Sequence, residues 1–387
     1  MPSPAGRGQG RTSLSDSTRV GLFLAAFFGA GAILTAYLPL WMADRGLSAA
    51  EIGRVLGLAS LMRVVAVPGW GWAADRLGRQ RATLFAAAAC ASACAGALPG
   101  TAGLAGLAAL VIMGGIAASA LTPLADAVTL ALAGARRLDY GRTRAWGSVS
   151  YMLATAAGGA LLGRTGSFVV PWLLAGAYGL AAALTPALPR VELSARAAAA
   201  ALPRLPPAFG WALLATALIQ GSHAAYYAFA TLHWRAAGIA DPVIGLLIAE
   251  GIVAEIALFV WGRGLVERLG PAGLTALAGG SCLVRWTATA FTTAVPALLV
   301  IQLLHAATFA CQHLSSMLVL RALAPGRAGV AQTVLAALGF AAPTGMLIWV
   351  SGQLYGHVGG RVFLLMAAVG GAALLVAPRL PGATRPR

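Results

Sequence analysis

A chain of 387 residues that is 59% hydrophobic and only 10% charged has too little polar surface to face water as a globular domain. Its formal charge of +16 comes from arginine alone, because the sequence holds no lysine, which excludes a Walker A phosphate loop and a Schiff-base nucleophile. The arginines are dealt out to alternate loops and not gathered on one face with stacking aromatics, so no nucleic-acid surface is expected.

Apolar runs of the ~20 residues that cross a bilayer recur from end to end. Backbone groups in lipid must be satisfied within the segment, so these runs read as helices. The alternating pattern of a membrane barrel is absent. The polar first 18 residues lack the apolar region and small-residue site of a cleaved signal, so the first span is expected to remain as an anchor. Spans fall at roughly 20–42, 51–74, 82–99, 103–133, 143–163 and 167–188. Six more follow at roughly 209–234, 242–262, 272–292, 295–320, 328–353 and 359–378.

The expected fold is an all-α membrane protein of twelve transmembrane helices. One six-helix lobe covers 19–188 and the other 209–378, joined by a linker at 189–208 that carries Pro189, Pro203, Pro206 and Pro207. Residues 1–18 and 379–387 are expected as tails. With the N-terminus inside, the outer loops hold only Arg45, Arg164, Arg235 and Arg361. Arg54, Arg63 and Arg285 lie within spans, which leaves twenty of the 27 basic residues to the cytoplasmic side. Both termini are therefore expected in the cytoplasm, in a bacterial inner membrane. Cys90, Cys94, Cys282 and Cys311 fall inside spans at no metal spacing and read as small buried apolar groups. No cofactor or catalytic nucleophile is expected, and the chain reads as a monomeric non-enzyme.

The two halves repeat each other. Arg45-Gly46-Leu47 through Ile52-Gly53 recurs as Ala237-Gly238-Ile239 through Ile244-Gly245, and Asp75-Arg76-Leu77-Gly78 recurs as Glu267-Arg268-Leu269-Gly270. Each pair is offset by 192 residues, close to half the chain, as expected of a carrier built from parallel repeats. Ser48-Ala49-Ala50-Glu51 is a capping-box pattern that starts the second span, and Asp241-Pro242 is read as cap and first helical residue of its copy.

The stretch Gly71-x-x-x-Asp75-Arg76-x-Gly78-Arg79 resembles the loop motif between the second and third helices of the major facilitator superfamily. More narrowly, the chain resembles the phenylpropionate permease family of its lactose-permease-like branch. The stretches that carry this likeness are Leu138-Asp139-Tyr140-Gly141-Arg142-x-Arg144-x-Trp146-Gly147-Ser148, Gln220-Gly221-x-His223-Ala224-Ala225-Tyr226-Tyr227, Arg285-Trp286, and Gln302-x-Leu304-His305 with Thr308-Phe309. The resemblance implies a ninth-helix arginine, here Arg285, that works beside an eighth-helix acid and a tenth-helix histidine. It also implies gating by Asp75, Arg76, Arg79, Asp126, Glu267 and Arg268, with Arg79 or Arg144 as the partner of Asp126.

A charge at mid-bilayer costs roughly 2.5–3.5 kcal/mol even on the lenient insertion scale, so each such residue needs a reason. Arg63 and Glu255 occupy repeat-equivalent places and are expected to face one cavity, one binding an anion and the other carrying a proton. Glu250 is about 140° around the helix from Glu255 and cannot share its direction. Arg285 keeps its charge and suits a carboxylate ligand. Gln220, His223 and Tyr227 form one stripe; His305, Phe309 and His313 form another, near Gln302. The expected function is proton-coupled symport of a small aromatic organic acid by alternating access. A sugar or nucleoside symporter or a drug exporter on the same machine stays open, as does a channel or a non-transporting sensor.

Overall fold

The structure, a computed structural model, describes residues 14–191, 205–322 and 325–382, apart from the side chains of Asp75, Leu77 and 325–329. Most of the expected linker, the outer parts of both tails and the Asp75 side chain therefore lie outside the described residues. Every regular element described is helical. The spans of the first half are α1 (Asp16–Asp44), α2 (Ala49–Leu77), α3 (Gln80–Ala97), α4 (Gly103–Ala118 and Leu121–Gly134), α5 (Tyr140–Thr165) and α6 (Val170–Leu184). Those of the second are α7 (Pro207–Gly221 and Ala224–Ala236), α8 (Asp241–Trp261), α9 (Arg263–Phe291), α10 (Val295–His305 and Cys311–Arg321), α11 (Pro325–Val334 and Ala342–Val358) and α12 (Val362–Gly371 and Ala373–Val376). The breaks in α10 and α11 are single π-helical stretches, Ala306–Ala310 and Leu335–Ala341.

Among the described residues, seven helical stretches are long and apolar enough to cross a membrane on length and composition alone, and α2, α5, α7 and α9 are not among them. Those four carry Arg63, Arg144, His223 and Arg285. Interior polar groups also stand on spans that do qualify, with Glu255 on α8 and Gln302 and His305 on α10.

The sequence repeat is a structural one. α2 and α8 start at Ala49 and Asp241, α4 and α10 at Gly103 and Val295, and α6 and α12 at Val170 and Val362, each pair separated by 192 residues. The turns repeat as well. Gly46 and Gly238 have φ of 85° and 84°, and Gly78 and Gly270 have φ of 58° and 59°, a left-handed backbone that favours glycine after a helix. The start of α2 has the full capping box, with Ser48 N–H donating to Glu51 at 2.9 Å. Its copy differs from expectation. The cap of α8 falls on Ala240 with no side-chain bond, because the Asp241 carboxylate is taken by the two-pronged guanidinium of Arg235 at 2.9 and 2.6 Å.

Between the lobes, α2 packs on α11, α5 on α8 and α1 on α7. These crossings are backbone-close in the half of the molecule away from the chain ends. A Cβ added at Gly53 would lie 2.7 Å from the Gly352 Cα, and one added at Gly159 would lie 2.5 Å from the Asp241 carbonyl oxygen. Arg235 of the second lobe donates to Asp44 of the first at 2.9 Å, and Asp44 also accepts from the Ser167 hydroxyl. Further toward the middle of the molecule the Ser60 hydroxyl of α2 donates to the Ala341 carbonyl of α11 at 3.1 Å. The lobes are closed on the far face and part toward the face that carries the termini.

Candidate functional site

Side-chain direction on each helix separates cavity from lipid. On α2 the exposed apolar stripe is Leu58, Val65 and Trp72, with Val65 73% exposed. Arg63 lies about 160° around the helix from Val65. It sits between the face that meets α4 (Ala59 against Gly115, Trp70 Nε1–H to the Ile116 carbonyl) and the face that meets α11 (Gly57 against Gly345). Arg63 is exposed on the side of α2 turned away from the lipid stripe, which makes it part of the cavity wall.

On α8 the exposed stripe is Leu246, Val253 and Val260, and Glu255 lies about 160° from Val253. Gly251 lets α10 approach until an added Cβ would sit 3.2 Å from His305 Cβ. That approach brings the Glu255 carboxylate to 3.4 Å from His305 Nε2. Glu250 sits beside the lipid stripe, and its buried Oε2 has no hydrogen-bond partner among the described residues.

Arg285 is fully buried on α9. One terminal nitrogen donates to His305 Nδ1 at 3.0 Å and Thr308 Oγ1 at 2.9 Å; the other donates to Gln302 Oε1 at 2.9 Å. Its guanidinium carbon lies over the Trp286 ring at 4.3 Å and the Tyr226 ring at 4.9 Å. No carboxylate touches it among the described residues. The hydrogen bonds settle the histidine tautomer: an arginine can only donate, so Nδ1 of His305 accepts and Nε2 carries the proton toward Glu255. Arg285, His305 and Glu255 thus form one chain from the lobe interior to the cavity.

The break in α7 places His223 in the same cluster. Freed of a helical partner, the Ile219 carbonyl accepts from His223 Nδ1 at 2.9 Å and from Ser222 Oγ at 2.6 Å. His223 Nε2 then faces Thr308 Oγ1 at 3.2 Å, and Trp286 Nε1–H is held by Ser222 at 3.1 Å. The rings of His223 and Tyr227 stack at 5.8 Å, as do His305 and Phe309 at 5.3 Å and Phe309 and His313 at 6.5 Å. Gln220 is buried, and its Nε2 has no hydrogen-bond partner among the described residues.

Asp126 pairs with Arg144, whose Nε lies 3.7 Å away while its guanidinium stacks 4.0 Å from the Phe28 ring. Arg144 lies about 180° around α5 from exposed Leu153, so it too faces the cavity, with Tyr151 two turns further along that face. Arg79 is exposed and holds no acid among the described residues. Arg76 covers the Trp72 ring at 5.4 Å, Glu267 is paired with Arg263 at 2.7 Å within one exposed turn, and Arg268 is exposed. Sequence reasoning assigned no role to Tyr226 or Thr308, although both stand in the strings that carry the family likeness. It gave no sign of the Asp44–Arg235 strut.

Two packed six-helix lobes, closed on one face around a polar cluster at mid-depth, define a secondary transporter and not an enzyme. A family model described as the MFS_1 like family matches residues 18–366, and the chain belongs to this family of the major facilitator superfamily. It is 31% identical over 274 residues to a protein of Escherichia coli (strain K12) described as a probable 3-phenylpropionic acid transporter, covering 68% of this chain and 71% of that one. It is 28% identical over 278 residues to the maltose permease of Geobacillus stearothermophilus, covering 69% of each. Among solved structures, the nucleoside transporter NupG superposes with a TM-score of 0.77 at 15% identity, covering 95% of this chain and 99% of that one. The D-xylose-proton symporter gives 0.72 at 14%, covering 95% and 98%. Those structures share the fold.

Proposed function

We propose that the protein is a proton-coupled importer of a small aromatic organic acid, and that the structure is its inward-facing form. The arginine bias assigns the face with the chain ends to the cytoplasm. Residues 19–188 and 209–378 are then the two rocking lobes, joined through 189–208, in a bacterial inner membrane.

The observation that carries the reading is the contact of Glu255 with His305, which Arg285 in turn holds. Glu255 is a cavity-facing carboxylate whose neighbouring imidazole, 3.4 Å away, is oriented by a permanent cation, so it can take and release a proton without rearranging the lobe interior. The cavity wall otherwise presents cations, Arg63 and Arg144, and aromatic rings, Tyr227 and Phe309, which suits a carboxylate on a ring. The E. coli relative's description points to the same cargo class. One proton moving with one carboxylate is neutral, so uptake draws on the pH gradient and not on the membrane potential. The maltose permease relative favours a second reading, proton-coupled sugar uptake.

Proteoliposomes loaded at pH 7.5 and diluted to pH 6 should accumulate labelled 3-phenylpropionate, and collapsing the gradient should stop it. Accumulation of maltose but not of the acid would favour the second reading.

A further inference from the structure

We propose that Arg63, and not Arg285, is the anchor for the cargo's carboxylate; this rests on the reading of the cargo as an organic acid. The sequence offers both arginines for this role, with Arg285 the one the family resemblance singles out. Its surroundings argue for a different one.

Arg285 has no exposed surface. Its terminal nitrogens are engaged by Gln302, His305 and Thr308, the Trp286 and Tyr226 rings lie against its guanidinium, and its Nε, the one nitrogen without a hydrogen-bond partner among the described residues, is buried away from the cavity. To grip a ligand it would have to surrender those bonds and strand their partners in a dry interior. Such a group is a fixed positive post that orients His305.

Arg63 is the opposite case. It is exposed, points away from the lipid stripe of α2, and makes no ion pair among the described residues. A permanent cation that lines a cavity without an acid leaves its two-pronged donor edge free for a ligand carboxylate.

The placement also couples the two substrates. Arg63 is fourteen residues from the start of α2 at Ala49, and Glu255 fourteen from the start of α8 at Asp241, so both stand at one depth in opposite lobes. Glu255 shares its surroundings with His313 of α10 and Arg144 of α5 as well as His305, and an anion held at Arg63 would add a second negative charge at the same depth of the cavity. The two negative charges repel until Glu255 is protonated, which makes proton binding the condition for anion binding. A carboxylate held by the first lobe, against a neutral acid of the second, favours closure of the lobes around both.

The test uses the full-length protein in detergent and two probes of the same shape, 3-phenylpropionate and its amide. Affinities are read by intrinsic tryptophan fluorescence or calorimetry. The wild type should prefer the acid. Arg63→Gln should weaken acid binding on the order of tenfold to a hundredfold and leave the amide unchanged, which also shows that the variant is folded. Arg63→Lys, keeping the charge but not the two-point grip, should fall between. Arg285→Gln should weaken acid and amide alike. If Arg63→Gln keeps the wild-type preference for the acid, the anchor is elsewhere and the proposal fails while the cargo reading stands. If the wild type shows no preference for the acid over the amide, both fail.

Discussion

Arg63 and Glu255 occupy equivalent positions in two helices that start 192 residues apart, and the duplication has given them opposite charges. A symmetric ancestor would place like groups at both points. The present pair divides the labour, with a permanent cation in one lobe and a titratable acid in the other. Only the acid lobe has the buried support of His305 and Arg285.

That support predicts how Arg285 fails. Arg285→Lys keeps the charge but cannot serve Gln302, His305 and Thr308 together, and each partner left unsatisfied costs about 1–3 kcal/mol. Thermal unfolding in detergent should shift clearly downward, with a larger shift than for Arg63→Lys. An unchanged midpoint would show that the cluster is not the post we describe.

The glycine crossings predict a conformational trap. Gly159→Leu places a side chain where even a Cβ meets the Asp241 carbonyl oxygen at 2.5 Å, so the far face cannot close as seen. Transport should be lost while the protein stays folded. A single cysteine placed on the outer part of α8 should label faster with a membrane-impermeant maleimide than in the parent. A labelling rate equal to the parent's would contradict this.

The Asp44–Arg235 strut should act more gently. Asp44 is half-exposed, and surface pairs contribute about 0.2–1 kcal/mol. Asp44→Asn should therefore raise far-face accessibility only a few-fold, and 1 M salt should reduce the difference between variant and parent. A complete loss of transport would mean that Asp44 does more than brace the closed face.

At the other face, Asp126→Asn frees Arg144 from its 3.7 Å partner but leaves the stacking on Phe28. Turnover should fall, because the balance between lobe positions shifts. The affinity for 3-phenylpropionate should change by no more than a few-fold, and a large loss of affinity would move Asp126 from the gate to the binding site.

Much of this was legible in the sequence, and for physical reasons. Helix starts and left-handed glycines are local features, so a duplicated chain displays them at a fixed offset. Arg63, Glu255 and Arg285 stand out because charge inside a bilayer is costly. What the sequence hides is who touches whom. Asp44 and Arg235 are not repeat-equivalent and each reads as an ordinary loop charge, so nothing announces their contact. Asp241 looks like a helix cap until Arg235 is placed beside it. Arg144 reads as a cytoplasmic loop residue, because only the direction of α5 shows that it faces the cavity. That Glu255 meets His305, with Arg285 behind it, depends on the close approach permitted by Gly251 and on the π-helical stretch after His305, neither of which periodicity reveals.

The central claim is that Glu255 carries the proton that drives uptake. The most direct test is paired flux in proteoliposomes holding wild type or Glu255→Gln, which fixes the side chain in a neutral, protonated-like form. Labelled 3-phenylpropionate is followed once under an inward pH gradient and once at equal pH with unlabelled acid inside. The wild type should accumulate under the gradient and exchange without it, whereas Glu255→Gln should exchange at a comparable rate and accumulate nothing. Uphill accumulation by Glu255→Gln would show that the proton travels on another group.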